Sequence, residues 1–353
     1  MNINFFKFKF FIIIILFSIK EFNIKNISLK KIGVVGLEHS QNVGNNLLKY
    51  AIFIKLSELG YSPYIVGKKY LNHNISFIKK HVNLRVINNF SEIKERDFDI
   101  LMVNSDQTWR RGIDSFYDVA FLRFAKNWNI PKFTYGTSFG HQKWIYSKKD
   151  EKIAKLLLKN FKGLSVREKD STKQIKRHLG FNSQFVLDPT FLIDKSKYID
   201  LIKNYKSEIM NQTNNNSFIF AYILTNSSSI RNYLFDIKKK LRTNIFHLTI
   251  SNKNQVEEFL FGIINCRAVI TDSFHATVFS IIFKKPFISF INESNDNSRF
   301  KSLDYIFNIK NRIFKLKSSP PISLLNPPLI VNEKKLLSLK RQSIDYLKKN
   351  LNQ

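Results

Sequence analysis

Short, nearly unbroken apolar runs alternate along the chain with amphipathic stretches long enough for helices, a pattern that predicts parallel α/β units. The first run is KIGVVGL at 31–37, followed by the polar loop EHSQNVGN and a helix over 46–59 that stops at Gly60. YSPYIVG, FDILMVNS, KFTYGTSFG, GLSVRE and SQFVLDPT follow as strands, with helices over 148–161 and 171–178 between them. A lysine- and asparagine-rich stretch at 194–216 with one short helical piece then breaks the series. The alternation resumes with the strands SFIFAYIL, NIFHLTI, RAVITD and KPFISFI and helices over 230–241, 255–264 and 274–283.

Two such series predict two doubly wound, Rossmann-like domains facing a cleft, with ligands at the carboxyl ends of the strands. The boundaries read as a leader at 1–29, an N-terminal α/β domain at 30–193, a linker at 194–216, a C-terminal α/β domain at 217–332 and a closing helix at 333–353. That last segment is lysine-rich, with leucines at Leu336, Leu337, Leu347 and Leu351. The leader places Lys7 and Lys9 before an apolar run at 10–19, which looks like a signal peptide without a small-residue cleavage site. The run is shorter than the roughly 20 apolar residues needed to span a bilayer. An interfacial anchor, an uncleaved signal and a disordered leader all fit it.

Composition adds two points. At 353 residues and 44% hydrophobic content the chain is folded material sized for two cores, apart from an expected disordered patch at 214–216. Its formal charge of +30, from 57 Lys and Arg against 27 Asp and Glu, attracts anions without naming them. Nucleic acid is not expected as a partner, because the lysines are scattered and no recognition motif accompanies them. The single cysteine, Cys266, lies in an apolar run, reads as a buried core residue, and excludes an internal disulfide. No metal-ligand cluster is visible and no cofactor is implied.

Candidate chemistry sits just after strands. HSQNVGNN offers Asn42 and Asn45, which also read as turn and cap residues, since neither a G-x-G-x-x-G nor a P-loop is present. NSDQTWR offers Ser105, Asp106 and Gln107, with Trp109 suited to the core. VREKDS offers Arg167, whose pairing with Glu168 also fits a structural role, and Asp188-Pro189 reads as a turn initiator. TDSFHAT is the sharpest cluster: Asp272, Ser273 and His275 form a polar island between a buried strand and a second apolar run.

Taken in order, NVGNNLLKYAIFIKLSELGY, NSDQTWR, TYGTSFG, LSVREKDS, VLDPTFLI, TDSFHATVFSIIFKKPFISF and RFKSLDYI resemble the successive signature segments of the polysaccharide pyruvyl transferase family, over roughly 31–309. The resemblance implies a GT-B-like architecture and transfer of a pyruvyl group from phosphoenolpyruvate to sugar hydroxyls, forming a ketal on a cell-surface or exopolysaccharide precursor. It implies His275 as general acid or base, because an imidazole gives and takes protons near neutrality. Arg167 is the first choice for the donor anion, then Arg299, with Lys301 a further candidate. Asn42 and Asn45 fall at the opening loop, Ser105, Asp106 and Gln107 are expected to orient acceptor hydroxyls, and His141 is a second proton carrier. The family commonly carries an arginine where this chain has Ser273.

Phosphoenolpyruvate and a saccharide or glycolipid acceptor are thus the expected partners, in the cytoplasm, with peripheral contact to the inner face of the membrane through the leader. A GT-B glycosyltransferase using a nucleotide sugar is the first alternative, since one architecture hosts several chemistries. A non-catalytic polyanion- or membrane-binding protein is the second.

Overall fold

The computed structural model describes residues 28–37, 42–68, 75–113, 115–141, 143–213, 217–248, 255–292 and 297–352. The expectations for the leader before residue 28 and for the patch at 214–216 lie outside them.

The chain enters through β1 (Lys31–Val35), whose apolar residues are covered on both faces, and turns into α1 (Val43–Glu58). Asn42 caps α1, its Oδ1 accepting from the Gly44 amide at 2.8 Å. Then come β2 (Ser62–Lys68), α2 (Ile75–His81), β3 (Leu84–Ile87), β4 (Ile100–Val103), α3 (Phe116–Phe121) and β5 (Lys132–Thr134). These strands form one parallel sheet in the order β3-β2-β1-β4-β5, with Val34 paired to Ile65 on one side and to Met102 on the other.

After α4 (Lys148–Leu158), the short parallel pair β6 (Ser165–Val166) and β7 (Gln184–Phe185) flanks α5 (Lys169–Gln174). Thr137 links the layers, bridging to Asp106 on one side and to Val166 on the other. Two short helices, α6 (Ser196–Ile202) and α7 (Glu208–Thr213), occupy the stretch where one was predicted.

The second sheet is built from β8 (Phe218–Tyr222), β9 (Asn244–His247), β10 (Ala268–Thr271), β11 (Phe287–Ile291) and β12 (Ile313–Lys315), all parallel, in the order β12-β11-β10-β8-β9. Its helices are α8 (Ser228–Leu241), α9 (Gln255–Asn265), α10 (Phe274–Ile282) and α11 (Ser298–Phe307). Helix α9 lies close on β8 because Gly262 faces the Phe220 ring; a Cβ there would stand 2.3 Å from Phe220 Cε2.

Parallel sheets covered on both faces require continuous apolar strands, and ILMV and AVIT meet that demand with every residue buried. One apolar cluster runs from Ile32 and Met102 of the first sheet, through Leu47 and Ile52 of α1, to Phe259 and Phe279 behind the second. The closing helix α12 (Glu333–Leu351) starts beside the second sheet, where Glu333 pairs with Lys284 at 2.6 Å. It ends against the first: Tyr346 donates to the Thr134 carbonyl at 2.8 Å, and the Ser343 hydroxyl accepts from the Leu187 amide at 2.9 Å. No helix among the described residues is long and apolar enough to cross a membrane.

Candidate active site

A hollow of about 530 Å³ opens where the carboxyl ends of the two sheets meet. From the first sheet it is lined by Asn42, Asp106, Gln107, Arg110 and His141, and from the second by Asp272, Ser273, Phe274, His275 and Arg299. Of the sequence-predicted residues, Asn45, Ser105, Arg167 and Lys301 do not line it.

His275 is placed by the cap that starts α10. The Ser273 hydroxyl accepts from the Ala276 amide, fixing the first turn, and His275 lies within it. Its ring rests on Gly44 of α1, where a Cβ would stand 2.1 Å from Nδ1. The glycine in NVGN is therefore a seat for an imidazole from the other half of the chain, and its absent side chain matters more than its backbone freedom.

Behind the hollow lies a buried ionic cluster. The Arg167 guanidinium, 2% exposed, donates through Nη2 to Asp106 Oδ1 at 2.8 Å and through Nη1 to Asp188 Oδ2 at 2.6 Å, and Glu168 Oε1 stands 3.5 Å from its Nε. Asn45 Nδ2 donates to Asp106 Oδ2 at 2.9 Å. His275 Nε2 lies 3.9 Å from Asp188 Oδ2, so Asp188 is the point at which Arg167 and His275 meet. The Phe274 ring sits near two guanidiniums, 5.1 Å from that of Arg167 and 5.2 Å from that of Arg299.

The electrostatics follow from this packing. Burial disfavours the Asp106 carboxylate, but Arg167, then His275, Asn45 and Arg299, outweigh it and hold its pKa well below the usual range. Burial likewise works against the Arg167 charge, and Asp106, Asp188 and Glu168 override it, so this guanidinium is held more firmly charged than a free one. For His275 burial wins: its pKa is lowered, with Asp188 and Asp106 pulling it up and Arg167 and Arg299 pushing it down. Burial thus favours the neutral imidazole.

Several sequence expectations change under this geometry. Arg167, the first choice for a donor anion, is wrapped by three carboxylates and does not reach the hollow; Arg299 does. Lys301 is exposed, because two residues along a helix turn a side chain by about 200° and carry it to the face opposite Arg299. The Ser105 hydroxyl is buried and donates to the Gly136 carbonyl at 2.8 Å, and Asn45 faces Asp106 instead of open space. Asp272 borders the hollow, yet its carboxylate accepts from the Leu224 and Thr225 amides and from the Thr225 hydroxyl. Gln107 lines the hollow, and its Oε1 accepts from Arg110 at 3.1 Å. Sequence reasoning missed Arg110, the last residue of NSDQTWR, and took Asp188 for a turn initiator. Asp188 does cap a turn through the Thr190 amide, but its second oxygen belongs to the ionic cluster. Among the described residues no group of three or more His, Cys, Asp or Glu side chains is arranged to hold a metal ion.

Two parallel five-stranded sheets with their carboxyl ends turned to a shared hollow define a GT-B-like α/β protein. The UDP-GlcNAc 2-epimerase of Methanocaldococcus jannaschii shares this fold, with a TM-score of 0.53 at 12% identity over 88% of this chain and 92% of that one. A glycosyltransferase from Rickettsia africae ESF-5 gives 0.48 at 14% identity, over 92% and 99%. The UDP co-structure of S. aureus MnaA gives 0.48 at 12%, over 90% and 88%. At such identities the likeness is one of fold, and the first of the three carries it. No curated protein matches the sequence. The sequence model described as polysaccharide pyruvyl transferase matches residues 42–295, well over half of the chain and all of the hollow's walls except Leu37, Arg299 and Phe300. The chain belongs to the polysaccharide pyruvyl transferase family.

Proposed function

We propose that the protein transfers a pyruvyl group from phosphoenolpyruvate to two hydroxyls of a saccharide or glycolipid precursor, forming a ketal and releasing phosphate. The observation that carries this reading is a buried His275, its pKa lowered by that burial, on the wall of a hollow shared with two guanidiniums, Arg299 and Arg110. A small dianion needs such donors for its carboxylate and phosphate, and Arg299 at the start of α11 adds a helix N-terminus of favourable sign. Arg299 thereby takes the part first given to Arg167, and it lines the same hollow as Ser273, where the family pattern has an arginine.

In the reaction the central carbon of the donor becomes electrophilic only as its methylene carbon gains a proton, so the two events are coupled: His275 relays the proton of the first sugar hydroxyl to the methylene carbon, which becomes the methyl group, as that hydroxyl oxygen bonds to the central carbon. The carbon–oxygen bond to phosphate then breaks, and the leaving phosphate keeps the bridging oxygen. The second hydroxyl attacks the same carbon and loses its proton to the phosphate. Phosphoenolpyruvate and a diol thus yield a ketal and inorganic phosphate, with every proton accounted for.

Incubation with phosphoenolpyruvate and a panel of cell-envelope saccharides is expected to release phosphate and add a ketal detectable by mass spectrometry, and His275→Ala is expected to abolish both. Thermal stabilisation by nucleoside diphosphates, with none by phosphoenolpyruvate, would transfer the assignment to a nucleotide-sugar glycosyltransferase. We place the reaction in the cytoplasm, where phosphoenolpyruvate is made, at the inner face of the membrane. Recovery of the whole protein in the soluble fraction of lysed cells would remove the membrane from this reading.

A further inference from the structure

Asp188 closes the apolar run FVL and is 3% exposed, an unusual place for a carboxylate whose only task is to start a turn. Its two oxygens have separate duties. Oδ1 accepts from the Thr190 amide at 3.1 Å and from the Thr190 hydroxyl at 2.7 Å, which fixes the rotation of the carboxylate. Oδ2 accepts from Arg167 at 2.6 Å and faces His275 Nε2 at 3.9 Å. That nitrogen is buried and has no hydrogen-bond partner among the described residues, while the Nδ1 edge of the ring lies on Gly44.

We infer that Asp188 is a positioning residue for His275: its Oδ2, anchored by Arg167 and Thr190, keeps the imidazole proton on Nε2 and stabilises the imidazolium when His275 takes a second proton. A neutral imidazole has one N–H and one lone pair, and the partner of one nitrogen decides which is which. The charged groups around the ring are Asp188 after β7, Asp106 after β4, Arg167 after β6 and Arg299 on α11. Asp188 Oδ2 is the carboxylate oxygen at 3.9 Å from Nε2, so the N–H belongs there. This is longer than a hydrogen bond, and the attraction in this state is coulombic.

The inference rests on His275 being the proton carrier, but its test does not depend on the donor. Nitrogen-15 chemical shifts of the wild-type protein, with the His275 signals assigned by their loss in His275→Gln, are expected to show the Nε2–H tautomer; the Nδ1–H tautomer would overturn the inference. In Asp188→Asn the Thr190 contacts survive through Oδ1, and the His275 pKa is expected to fall by about one unit or more, the usual effect of removing an opposite charge at this range. The acid limb of kcat/KM is expected to move to lower pH by the same amount. An unchanged His275 pKa in folded Asp188→Asn would sink the positioning role while leaving pyruvyl transfer standing. If Asp188→Asn does not fold, the wild-type tautomer decides alone. If wild-type protein is inert toward phosphoenolpyruvate yet shows the Nε2–H tautomer and the pKa shift, the reaction assignment fails and the pairing stands.

Discussion

Two aspartates occupy matching places in the two halves of the molecule, and their fates differ. Asp106 follows the buried strand β4, and Asp272 follows the buried strand β10. Asp272 is taken up by the Leu224–Thr225 turn beyond β8, accepting from two amides and one hydroxyl. Asp106 takes a left-handed backbone with φ of +85°, a conformation that costs a non-glycine residue energy, and holds Asn45 and Arg167. The end of a strand is therefore only an address. What gives a carboxylate a part in the buried ionic cluster is the kind of partner it meets: Asp106 meets a guanidinium and an amide side chain, and Asp272 meets the amides and hydroxyl of a turn.

The sharpest way to break this comparison is Asp106→Ala. It strips one carboxylate from a buried guanidinium and leaves Asn45 without its acceptor, so a loss on the order of 3 kcal/mol in urea unfolding is expected. Phosphate release should fall to background, because the same cluster sets the charge around His275. Parent-like unfolding and turnover would show that Asp106 is no more embedded than Asp272.

Gly44→Ala comes next and separates site from stability. The added methyl meets the imidazole, and a displacement of about 1 Å at a reacting group can cost on the order of 100-fold in rate. Overpacking costs about 1–3 kcal/mol, partly offset by up to about 1 kcal/mol of helix propensity. A large fall in kcat with a modest shift in thermal unfolding is the expected outcome. Equal losses in both would mean that the glycine serves packing alone.

Much of this architecture was legible in the sequence, for a physical reason. ILMV and AVIT are buried on both faces, so their signal is local and survives without tertiary knowledge. Among the missed elements the signal is weak or shared: β3 (LRVI) and β12 (IFK) are short edge strands with mixed exposure, α2 and α3 are helices of seven and six residues, and α11 starts from a residue whose side chain makes no capping bond. Asp188 shows the same limit at the site. Asp-Pro announces a turn within three residues, and the turn is there, but the contacts to Arg167 and His275 are made by chain returning from 21 and 87 positions away in sequence. Arg167 and His275 were singled out for their chemistry, yet which of them would reach the hollow was decided by three carboxylates that no spacing rule connects.

Asp272→Asn tests the other side of the comparison. Asparagine keeps one acceptor oxygen for the Leu224–Thr225 turn, and a net hydrogen bond is worth about 1 kcal/mol, so a loss of about 1–2 kcal/mol in thermal unfolding is expected. Turnover should change by less than about tenfold, since the residue's bonds go to a turn and not to the ionic cluster beside His275. A collapse of activity with stability intact would instead make Asp272 a substrate ligand.

The smallest expected effect is in the pH dependence of stability, where the two windows carry the same sign. The His275 pKa is lower in the fold than its unfolded value of about 6.5, so as pH falls below that value the unfolded chain takes up the proton first and stability declines until the folded pKa is passed. The Asp106 pKa is also depressed, so its contribution is present above about 3.9 and is lost as pH falls further toward its folded value. Urea midpoints across pH should therefore show an upper slope that His275→Gln flattens and a lower one that Asp106→Asn flattens. His81 and His247, also depressed by burial, leave a residual upper slope in the first variant. If the His275→Gln profile overlays the parent throughout, the folded imidazole titrates where the unfolded one does and burial does not hold it neutral; a slope of opposite sign lost in the variant would make the resting state an acid.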